Sequence, residues 1–219
     1  MSERLKQQAA EAVLDYITPG IVIGVGTGST VQCFINVLSK IKSKIDACIA
    51  SSIFTEKALR VLGFNVLELN MVQELSLYID GADEIQDNGV MIKGGGGALV
   101  REKIIATVAT EFICIVDESK LVKRLGAFPL AVEVLPIARS YVARELVKLG
   151  GDPAYRNNFI TDNGNIILDV YNLDILLPIK LEEQIKLIPG VVDSGLFAKR
   201  WANRILVATE TNGVQNIRV

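Results

Sequence analysis

The sequence predicts an α/β protein with a mostly parallel, Rossmann-like sheet that has helices on both faces, plus a smaller ferredoxin-like α+β domain. Three observations lead to this fold class. Short β-branched runs alternate with segments of helical periodicity over residues 1–127, which is typical of β-α-β crossovers. Glycine-rich turns follow these runs. After residue 128 the order changes to β-α-β-β-α-β, the order of a ferredoxin-like unit.

The larger domain is predicted for residues 1–127 and 205–219. An opening helix is indicated by Leu5, Ala9 and Ala12 at helical spacing, and Pro19-Gly20 ends it. The run 21–25 is β-branched and bounded by glycines, which indicates a buried strand. The same criteria give helix 31–38, strand 44–50, helix 52–62, strand 75–80, helix 98–110, strand 112–116 and strand 205–208.

The smaller domain is predicted for residues 128–204. Strand 130–134 precedes a helix over 139–149, which ends at Gly150-Gly151. The Asn163-Gly164 pair is a strong hairpin signal. It connects strands predicted at 155–160 and 165–170, and helix 181–187 and strand 191–195 complete the domain.

Composition excludes several classes of protein. The 219 residues include no histidine, which excludes Ser-His-Asp and Cys-His catalysis and the common histidine-containing zinc and iron sites. Acid–base chemistry would depend on carboxylates, lysines, tyrosines or cysteines. The net charge of −2 gives no basic excess, so nucleic-acid binding is disfavoured.

The three cysteines are far apart and form no C-x-x-C motif. This pattern favours buried thiols in a reducing compartment, and we expect a cytoplasmic protein. Glu3, Arg4 and Lys6 give the N-terminus no signal-peptide character. The uncharged run 16–39 contains Pro19 and several glycines, so it indicates strand, loop and helix rather than a membrane span.

A glycine-rich segment, Gly24 to Thr30, lies between a predicted strand and a predicted helix. Glycines let the backbone approach an anion, and the helix N-terminus offers free N–H groups and a positive dipole end. The segment lacks the P-loop lysine, and Ser29 stands where the dinucleotide-binding fingerprint has its last glycine. It therefore predicts a phosphate site, and a tight capped turn is the alternative.

An acidic segment, Asp80 to Glu84, ends an apolar strand. Ligands of open α/β sheets bind outside the carboxyl ends of strands. The clustered acids repel one another unless a cation or a hydroxyl-rich ligand lies among them. A solvated acidic turn is the alternative. Magnesium or calcium binding also stays open, although EF-hand spacing is missing.

A second glycine-rich segment runs from Lys93 to Ala98 and precedes Glu102 on a predicted helix. Four consecutive glycines cost conformational entropy, so close approach of the backbone to a ligand is expected. Lys93 could stabilise an oxyanion. Glu102 could point back to the same pocket or be an ordinary surface acid. Asp117 to Lys120 follows another strand, where a capped turn is the alternative. We expect these four segments to follow four strands of one sheet and face one crevice.

With these motifs in view, the sequence resembles the type A ribose-5-phosphate isomerases. The resemblance rests on five segments in order, 24–30, 80–84, 91–98, 101–104 and 117–120, and it continues through 138–140, 149–151, 161–165 and 188–192. It covers essentially the whole chain. It implies interconversion of ribose 5-phosphate and ribulose 5-phosphate in the non-oxidative pentose phosphate pathway, through a cis-enediolate and without cofactor or metal.

The resemblance also implies roles for individual residues. Glu102 matches the general base, Lys93 matches the group that stabilises the enediolate oxygen, and Asp80 and Asp83 match acids that hold the sugar hydroxyls. Lys6 matches a further contact. The implied substrate-binding residues are Gly26, Thr27, Gly28, Ser29, Thr30, Asp80, Gly81, Ala82, Asp83, Lys93, Gly94, Gly95, Gly96 and Lys120.

Two features differ from the family pattern as we expect it. The glycine run is four residues long where three followed by small residues are expected, and segment 51–55 matches only loosely. A homodimer is implied, with a tetramer as a second option, and the partner is a small sugar phosphate. Two other functions stay open. An amino-sugar-phosphate deaminase is disfavoured by the missing histidine, and a non-catalytic sugar-phosphate sensor would have no need of Glu102 and Lys93.

Overall fold

The computed structural model describes residues 3–219. The helices are α1 (Glu3–Ala12), α2 (Ser29–Leu38), α3 (Ile53–Val61), α4 (Leu99–Val108), α5 (Arg139–Lys148) and α6 (Pro178–Lys186). The strands are β1 (Ile21–Val25), β2 (Ile45–Ala50), β3 (Leu75–Asp80), β4 (Glu84–Ile85), β5 (Met91–Ile92), β6 (Ala109–Asp117), β7 (Leu130–Val134), β8 (Asp152–Tyr155), β9 (Ile166–Tyr171), β10 (Val191–Ser194), β11 (Leu196–Phe197), β12 (Arg204–Thr209) and β13 (Gly213–Arg218).

The chain forms two compact units. Unit 1 comprises the chain up to residue 82 together with 101–121 and 202–219, and unit 2 comprises 83–100 and 122–201. The segment 83–100, which the sequence assigned to the larger domain, thus lies in unit 2. The reason is strand pairing, since β5 pairs antiparallel with both β4 and β11. Val90 and Ile92 also pack into the hydrophobic core of unit 2.

Unit 1 is built on a six-stranded sheet in the order β13-β12-β6-β3-β1-β2. Five of these strands are parallel to one another, namely β1, β2, β3, β6 and β12. The sixth strand, β13, pairs antiparallel with β12 at one edge. The prediction of a mostly parallel sheet is confirmed. Parallel strands end at the same edge of a sheet, so the segments that follow β1, β3 and β6 emerge together.

Helices cover both faces of this sheet. On one face, Ile23 and Val25 of β1 pack in a core with Ala9 of α1 and Phe34 of α2. Gly24 faces the other side, where a Cβ would lie 2.9 Å from Ile105 Cγ2 of α4. The glycine therefore permits close packing of α4 on the strand.

Unit 2 contains an antiparallel sheet in the order β10-β7-β9-β8. Alternate residues of β7, including Val132, face a core that also contains Val142 and Leu146 of α5 and Ile185 of α6. Two helices on one face of such a sheet form the ferredoxin-like unit that the sequence predicts. The short strands β11, β5 and β4 form a separate three-stranded sheet in this unit.

The hairpin of unit 2 differs in part from the prediction. The turn lies where expected, with the Gly164 N–H donating to Thr161 O at 2.9 Å. The predicted bounds of the strand before the turn are wrong, because the strand spans 152–155 rather than 155–160. Asn158 has a φ of +55°, a left-handed conformation that interrupts an extended chain.

The three cysteines are free and buried, as the sequence predicts. Among residues 3–219, no helix combines the length and the apolar character that crossing a bilayer requires.

Candidate active site

Three of the predicted segments meet at the carboxyl edge of the unit 1 sheet. They follow β1, β3 and β6, which are neighbours in the sheet. The expectation that Lys93 follows a fourth strand of the same sheet is wrong. Lys93 follows β5, which pairs antiparallel in the three-stranded sheet of unit 2.

Gly26 is a glycine because Asp80 occupies the space beside it. A Cβ at Gly26 would lie 2.0 Å from Asp80 Cγ, which is far inside van der Waals contact. The Gly26 N–H donates to Ile79 O at 2.8 Å, which ties the first glycine-rich segment to β3. At the next residue, the Thr27 N–H donates to Asp80 Oδ1 at 3.1 Å. The segment is thus shaped around one carboxylate.

A cluster of hydroxyl groups forms hydrogen bonds with the same segment. Thr27 Oγ1 lies 2.7 Å from Ser51 Oγ and donates to Ser52 Oγ at 2.8 Å. Thr55 Oγ1 donates to Gly26 O at 2.7 Å. Ser51, Ser52 and Thr55 are buried. The segment 51–55, which matches the family pattern only loosely, therefore supports the glycine-rich backbone through its hydroxyls.

Gly28 immediately precedes α2 as its N-cap residue and has a φ of +138°, a conformation that favours glycine. Having no side chain, it provides no side-chain cap for the first-turn amides of α2. Ser29 is exposed and Thr30 half-buried at this helix N-terminus. Backbone N–H groups at such a terminus, with the positive end of the helix dipole, suit a phosphate.

Tyr78 contacts one predicted catalytic residue, Asp80, and is close enough to a second, Glu102, to be affected by its charge. Its ring is fully buried, and its hydroxyl donates to Asp80 Oδ2. Asp80 Oδ1 also accepts the Gly81 N–H at 2.8 Å. Burial raises the pKa of Tyr78 well above its ordinary value, and the negative charges of Asp80 and Glu102 raise it further. The Tyr78 phenol is therefore a neutral donor to Asp80.

Glu102 lies in the first turn of α4 and is only 3% exposed. Taken alone, the sequence also allowed an ordinary surface acid at this position. The burial of the side chain and its electrostatic effect on Tyr78 rule out that interpretation. The charges of Glu102 and Asp80 thus both act on the same phenol within unit 1.

Asp117 ends β6 and caps a 3₁₀ turn over Glu118–Lys120. Its Oδ1 accepts the Ser119 N–H at 3.0 Å and the Ser119 hydroxyl. This contact is the capped turn that the sequence allows as an alternative. It also fixes where Lys120, which is half-buried, leaves the strand. Lys6 on α1 is half-buried too, with Nζ 3.4 Å from Glu3 Oε2.

In unit 2, Asp83 and the second glycine-rich segment are in direct contact. The Gly95 N–H donates to Asp83 Oδ2 at 2.8 Å, and the Asp83 N–H donates to Ile92 O at 2.9 Å. A Cβ at Gly95 would lie 2.8 Å from Asp83 Oδ1. Gly94 has a φ of +109°, where a side chain would be strained. Gly95 and Gly96 are exposed, so this backbone is open to a ligand.

Lys93 is 3% exposed, although it is a lysine. Its N–H donates to Gly195 O at 2.8 Å, and its Nζ lies 5.8 Å from the centre of the Phe197 ring. Lysines are mostly exposed, because burial of their charge costs free energy. The burial of Lys93 therefore excludes a solvated surface charge and is compatible with a functional ammonium group.

The acidic segment 80–84 does not act as one cluster. Glu84 is buried and accepts the N–H groups of Gly126 and Phe128, both at 2.7 Å. It holds a loop of unit 2 and belongs to its structure. Within residues 3–219, no group of three cysteine, aspartate or glutamate side chains is arranged to hold a metal ion.

The sequence reasoning missed Tyr78 and the hydroxyl cluster. Tyr78 lies in an apolar strand and gives the same signal as a core aromatic. A tyrosine two residues before an aspartate at a strand end is on the same face as that aspartate, and this spacing could have indicated the contact.

Comparison with known proteins identifies relatives over the whole length. The family model for ribose 5-phosphate isomerase A (phosphoriboisomerase A) matches residues 47–212. The chain is 63% identical over 218 residues to ribose-5-phosphate isomerase A of Legionella pneumophila strain Lens, and 62% identical to that of strain Corby, with all of each chain covered.

Solved structures agree with this result. A ribose 5 phosphate isomerase A from Neisseria gonorrhoeae has a TM-score of 0.96 and 42% identity, covering 100% of this chain and 97% of the other. A D-ribose-5-phosphate isomerase in complex with phospho-erythronic acid has a TM-score of 0.94 and 35% identity, with both chains fully covered.

Proposed function

The chain belongs to the ribose 5-phosphate isomerase A family, and we propose that it interconverts D-ribose 5-phosphate and D-ribulose 5-phosphate through a cis-enediolate. The observation that supports this most is the burial of both Glu102 and Lys93, each 3% exposed. An aldose–ketose isomerisation needs a base and a cation, and each is more effective when shielded from water. A sugar-phosphate sensor would have no need to desolvate either group.

Glu102 is the base in this proposal. Its carboxylate removes the proton from C2 of the open-chain aldose, and the electrons of that bond form the enediolate. A proton also moves from the C2 hydroxyl oxygen to the C1 oxygen, a transfer that Asp80 and Asp83 can assist. The same carboxyl group of Glu102 then returns its proton to C1, which gives the ketose. Burial penalises the charged form of a carboxyl group, and this suits a residue that must accept and release a proton.

Lys93 balances the negative charge that develops on the enediolate oxygen. A preorganised ammonium group in a dry site does this without reorganising during the reaction. Asp80 and Asp83 hold the sugar hydroxyls and assist ring opening. Asp80 is oriented by Tyr78 and the Thr27 N–H, whereas Asp83 is oriented by the Gly95 N–H.

The phosphate is assigned to the first glycine-rich segment and Lys120. The uncapped first-turn amides of α2, with Ser29 and Thr30, provide donors that match a dianion. Because the phosphate lies at one end of a small substrate, binding it orients the reacting carbons at the other end. The protein has a net charge of only −2, so this attraction is local.

The decisive experiment follows ribose 5-phosphate by NMR in deuterated water. We expect ribulose 5-phosphate to form and solvent deuterium to appear at the reacting carbons. We expect Glu102→Gln to lower kcat by at least about 1,000-fold, because general acid–base catalysis contributes typically 10²–10⁴-fold. Glu111→Gln, which removes a carboxylate elsewhere in unit 1, is the control and should keep kcat.

Absence of ribulose 5-phosphate with the wild-type protein would refute the function. Near-normal kcat in Glu102→Gln would refute the assignment of the base. Activity is also expected to survive a strong chelator. Loss of activity that magnesium restores would show instead that the carboxylates hold a metal.

We propose two further properties that the resemblance implies. The first is a homodimer, for which light scattering should give about twice the chain mass of 23.8 kDa, whereas about four times that mass would indicate a tetramer. The second is a cytoplasmic location, which is compatible with three free, buried thiols. Fractionation of the source cells tests it.

A further inference from the structure

We propose that Arg156 is a positioning residue for the reaction, because it holds the peptide group that orients Asp83. The inference rests on the proposed function, in which Asp83 binds the sugar. The contacts that support it lie entirely within unit 2, and neither the motifs nor the implied roles include Arg156.

One peptide group is held at both ends. The carbonyl oxygen of Gly94 accepts a hydrogen bond from Arg156 Nη1 at 3.1 Å, and the N–H of Gly95 donates to Asp83 Oδ2 at 2.8 Å. These two groups belong to the same planar peptide unit and point in opposite directions. A rotation of this peptide that breaks one bond therefore breaks the other.

Arg156 is itself held in place. Its Nε donates to Asp169 Oδ2 at 2.8 Å and its Nη2 donates to Asp169 Oδ1. The two side chains are only 18% and 15% exposed. The Arg156 N–H donates to Ile167 O at 3.0 Å, and the guanidinium lies 5.4 Å from the centre of the Phe159 ring. A bidentate, stacked guanidinium has little freedom.

The guanidinium nitrogens of Arg156 donate to two different parts of unit 2. Nε and Nη2 face Asp169 on β9, and Nη1 faces the glycine carbonyls, with Gly95 O at 3.3 Å as a second acceptor. If the ion pair only stabilised the sheet, Arg156 would need no hydrogen bond beyond those to Asp169. The contact with Gly94 and Gly95 shows that the pair also acts on the glycine-rich segment.

This segment needs an outside restraint. Consecutive glycines lose more conformational freedom on ordering than any other residues, and they have no side chain with which to pack. Gly94 adopts a φ of +109°, and a glycine can leave this conformation for others at little steric cost. Arg156 supplies the restraint from the carbonyl side, where the Gly97 N–H also donates to Gly94 O at 3.0 Å. Without Arg156, we expect the Gly94–Gly95 peptide to sample other orientations and Asp83 to lose its N–H donor.

The test measures kcat and KM of Arg156→Met and Arg156→Lys, each in the wild-type and in the Asp83→Asn background. We expect Arg156→Met to lower kcat/KM about 30-fold, because a displacement of about 1 Å can cost 10²-fold. Arg156→Lys keeps the charge and should recover part of the loss. In the Asp83→Asn background, Arg156→Met should change kcat/KM by less than about threefold, since residues that act as a unit are not additive.

Arg144→Met is the control, because Arg144 is an exposed arginine of the same unit outside the site. A second readout is independent of catalysis. Hydrogen exchange at the Gly95 amide should become faster in Arg156→Met and stay unchanged in Arg144→Met. If the wild-type protein shows no turnover, the proposed function fails, whereas the exchange rate of Gly95 still tests the restraint.

Two results would overturn the proposal. The first is a lowered melting temperature with kcat/KM within twofold of wild type, which would show a purely structural ion pair. The second is an equal loss of kcat/KM in the wild-type and Asp83→Asn backgrounds, which would show an effect that does not pass through Asp83. If Arg156→Met does not fold, Arg156→Lys decides by the same criteria.

Discussion

The two glycine-rich segments look alike in the sequence but are glycine-rich for different reasons. In the first, Gly26 leaves room for the Asp80 carboxylate, which would lie 2.0 Å from a Cβ. In the second, Gly94 has a φ of +109°, so backbone conformation decides at that position. Gly26 thus approaches a side chain, whereas Gly94 adopts a conformation that other residues avoid.

The two segments also differ in what holds them. In the first, one carboxylate, Asp80, is combined with uncharged donors, namely the hydroxyls of Thr27 and Thr55 and the phenol of Tyr78. In the second, charged groups lie on both sides, with Asp83 on the N–H side and Arg156 on the carbonyl side. The first network therefore depends on neutral donors and the second on a charged one, and the two should respond differently to mutation and to pH.

The largest effect is expected from Gly26→Ala. Its methyl group and the Asp80 carboxylate cannot occupy the same space, so either the segment or Asp80 must move. We expect kcat/KM to fall by about 100-fold or more, as a small displacement of a catalytic group suffices for this. Steady-state kinetics measures it.

Gly20→Ala is the matched control for this substitution. At Gly20 a Cβ would meet nothing within 4 Å, and the residue has a positive φ of +81°. We expect a loss of about 1 kcal/mol in stability from the left-handed conformation, with activity retained. Full activity in Gly26→Ala would show that the close approach to Asp80 is dispensable.

A smaller effect, on stability, is expected from Gly97→Ala. Its Cβ would lie 2.2 Å from Phe159 Cζ, which explains why this chain has a fourth glycine where we expected another small residue. We expect a loss of about 2 kcal/mol from overpacking and strain. The free energies of unfolding of wild type, Gly97→Ala, Phe159→Val and the double variant, measured in urea, form a double-mutant cycle.

The double variant should be more stable than the sum of the single losses implies, by about 1 kcal/mol, because Val leaves room for the new methyl group. The strain from the positive φ remains in both backgrounds. Strict additivity would mean that Phe159 does not impose the fourth glycine.

The smallest effect distinguishes the two networks by pH. The raised pKa of Tyr78 means that above about pH 10 the unfolded chain releases the phenol proton while the folded chain keeps it. Stability is therefore lost as the pH rises. Between pH 10 and 11 we expect wild type to lose up to about 1.4 kcal/mol more than Tyr78→Phe, the value of one proton per pH unit.

Arg156→Met leaves the contact of Tyr78 with Asp80 unchanged, so it should follow the wild-type slope. Urea unfolding at a series of pH values measures all three proteins. Equal slopes for wild type and Tyr78→Phe would contradict the neutral-donor role of Tyr78.

Periodicity and turn residues predicted most of the fold. The six-stranded sheet needs long β-branched runs such as 21–25 and 112–116, and these are visible in the sequence. The two-residue strands β4, β5 and β11 were missed because two residues show no period. β13 was missed too, since its side chains are mostly exposed and it is defined by pairing with β12.

For the candidate site, residue types could be predicted better than their surroundings. The motifs indicated Asp80, Asp83, Lys93 and Glu102. They did not indicate that Lys93 follows a strand of another sheet, because a strand pairing depends on distant residues such as Leu196. They also gave no sign of Arg156, whose role depends on Asp169 and on a backbone orientation that no local pattern encodes.

The order of the strands in unit 1 has a consequence for synthesis of the protein. β12 pairs with β6, and β13 then pairs with β12, so both depend on the segment 202–219. Until that segment leaves the ribosome, β6 presents an unpaired edge, the kind of surface on which nascent chains aggregate. A ribosome that stalls near residue 200 would therefore release a chain with an open sheet, although every residue implied in the chemistry has already been translated.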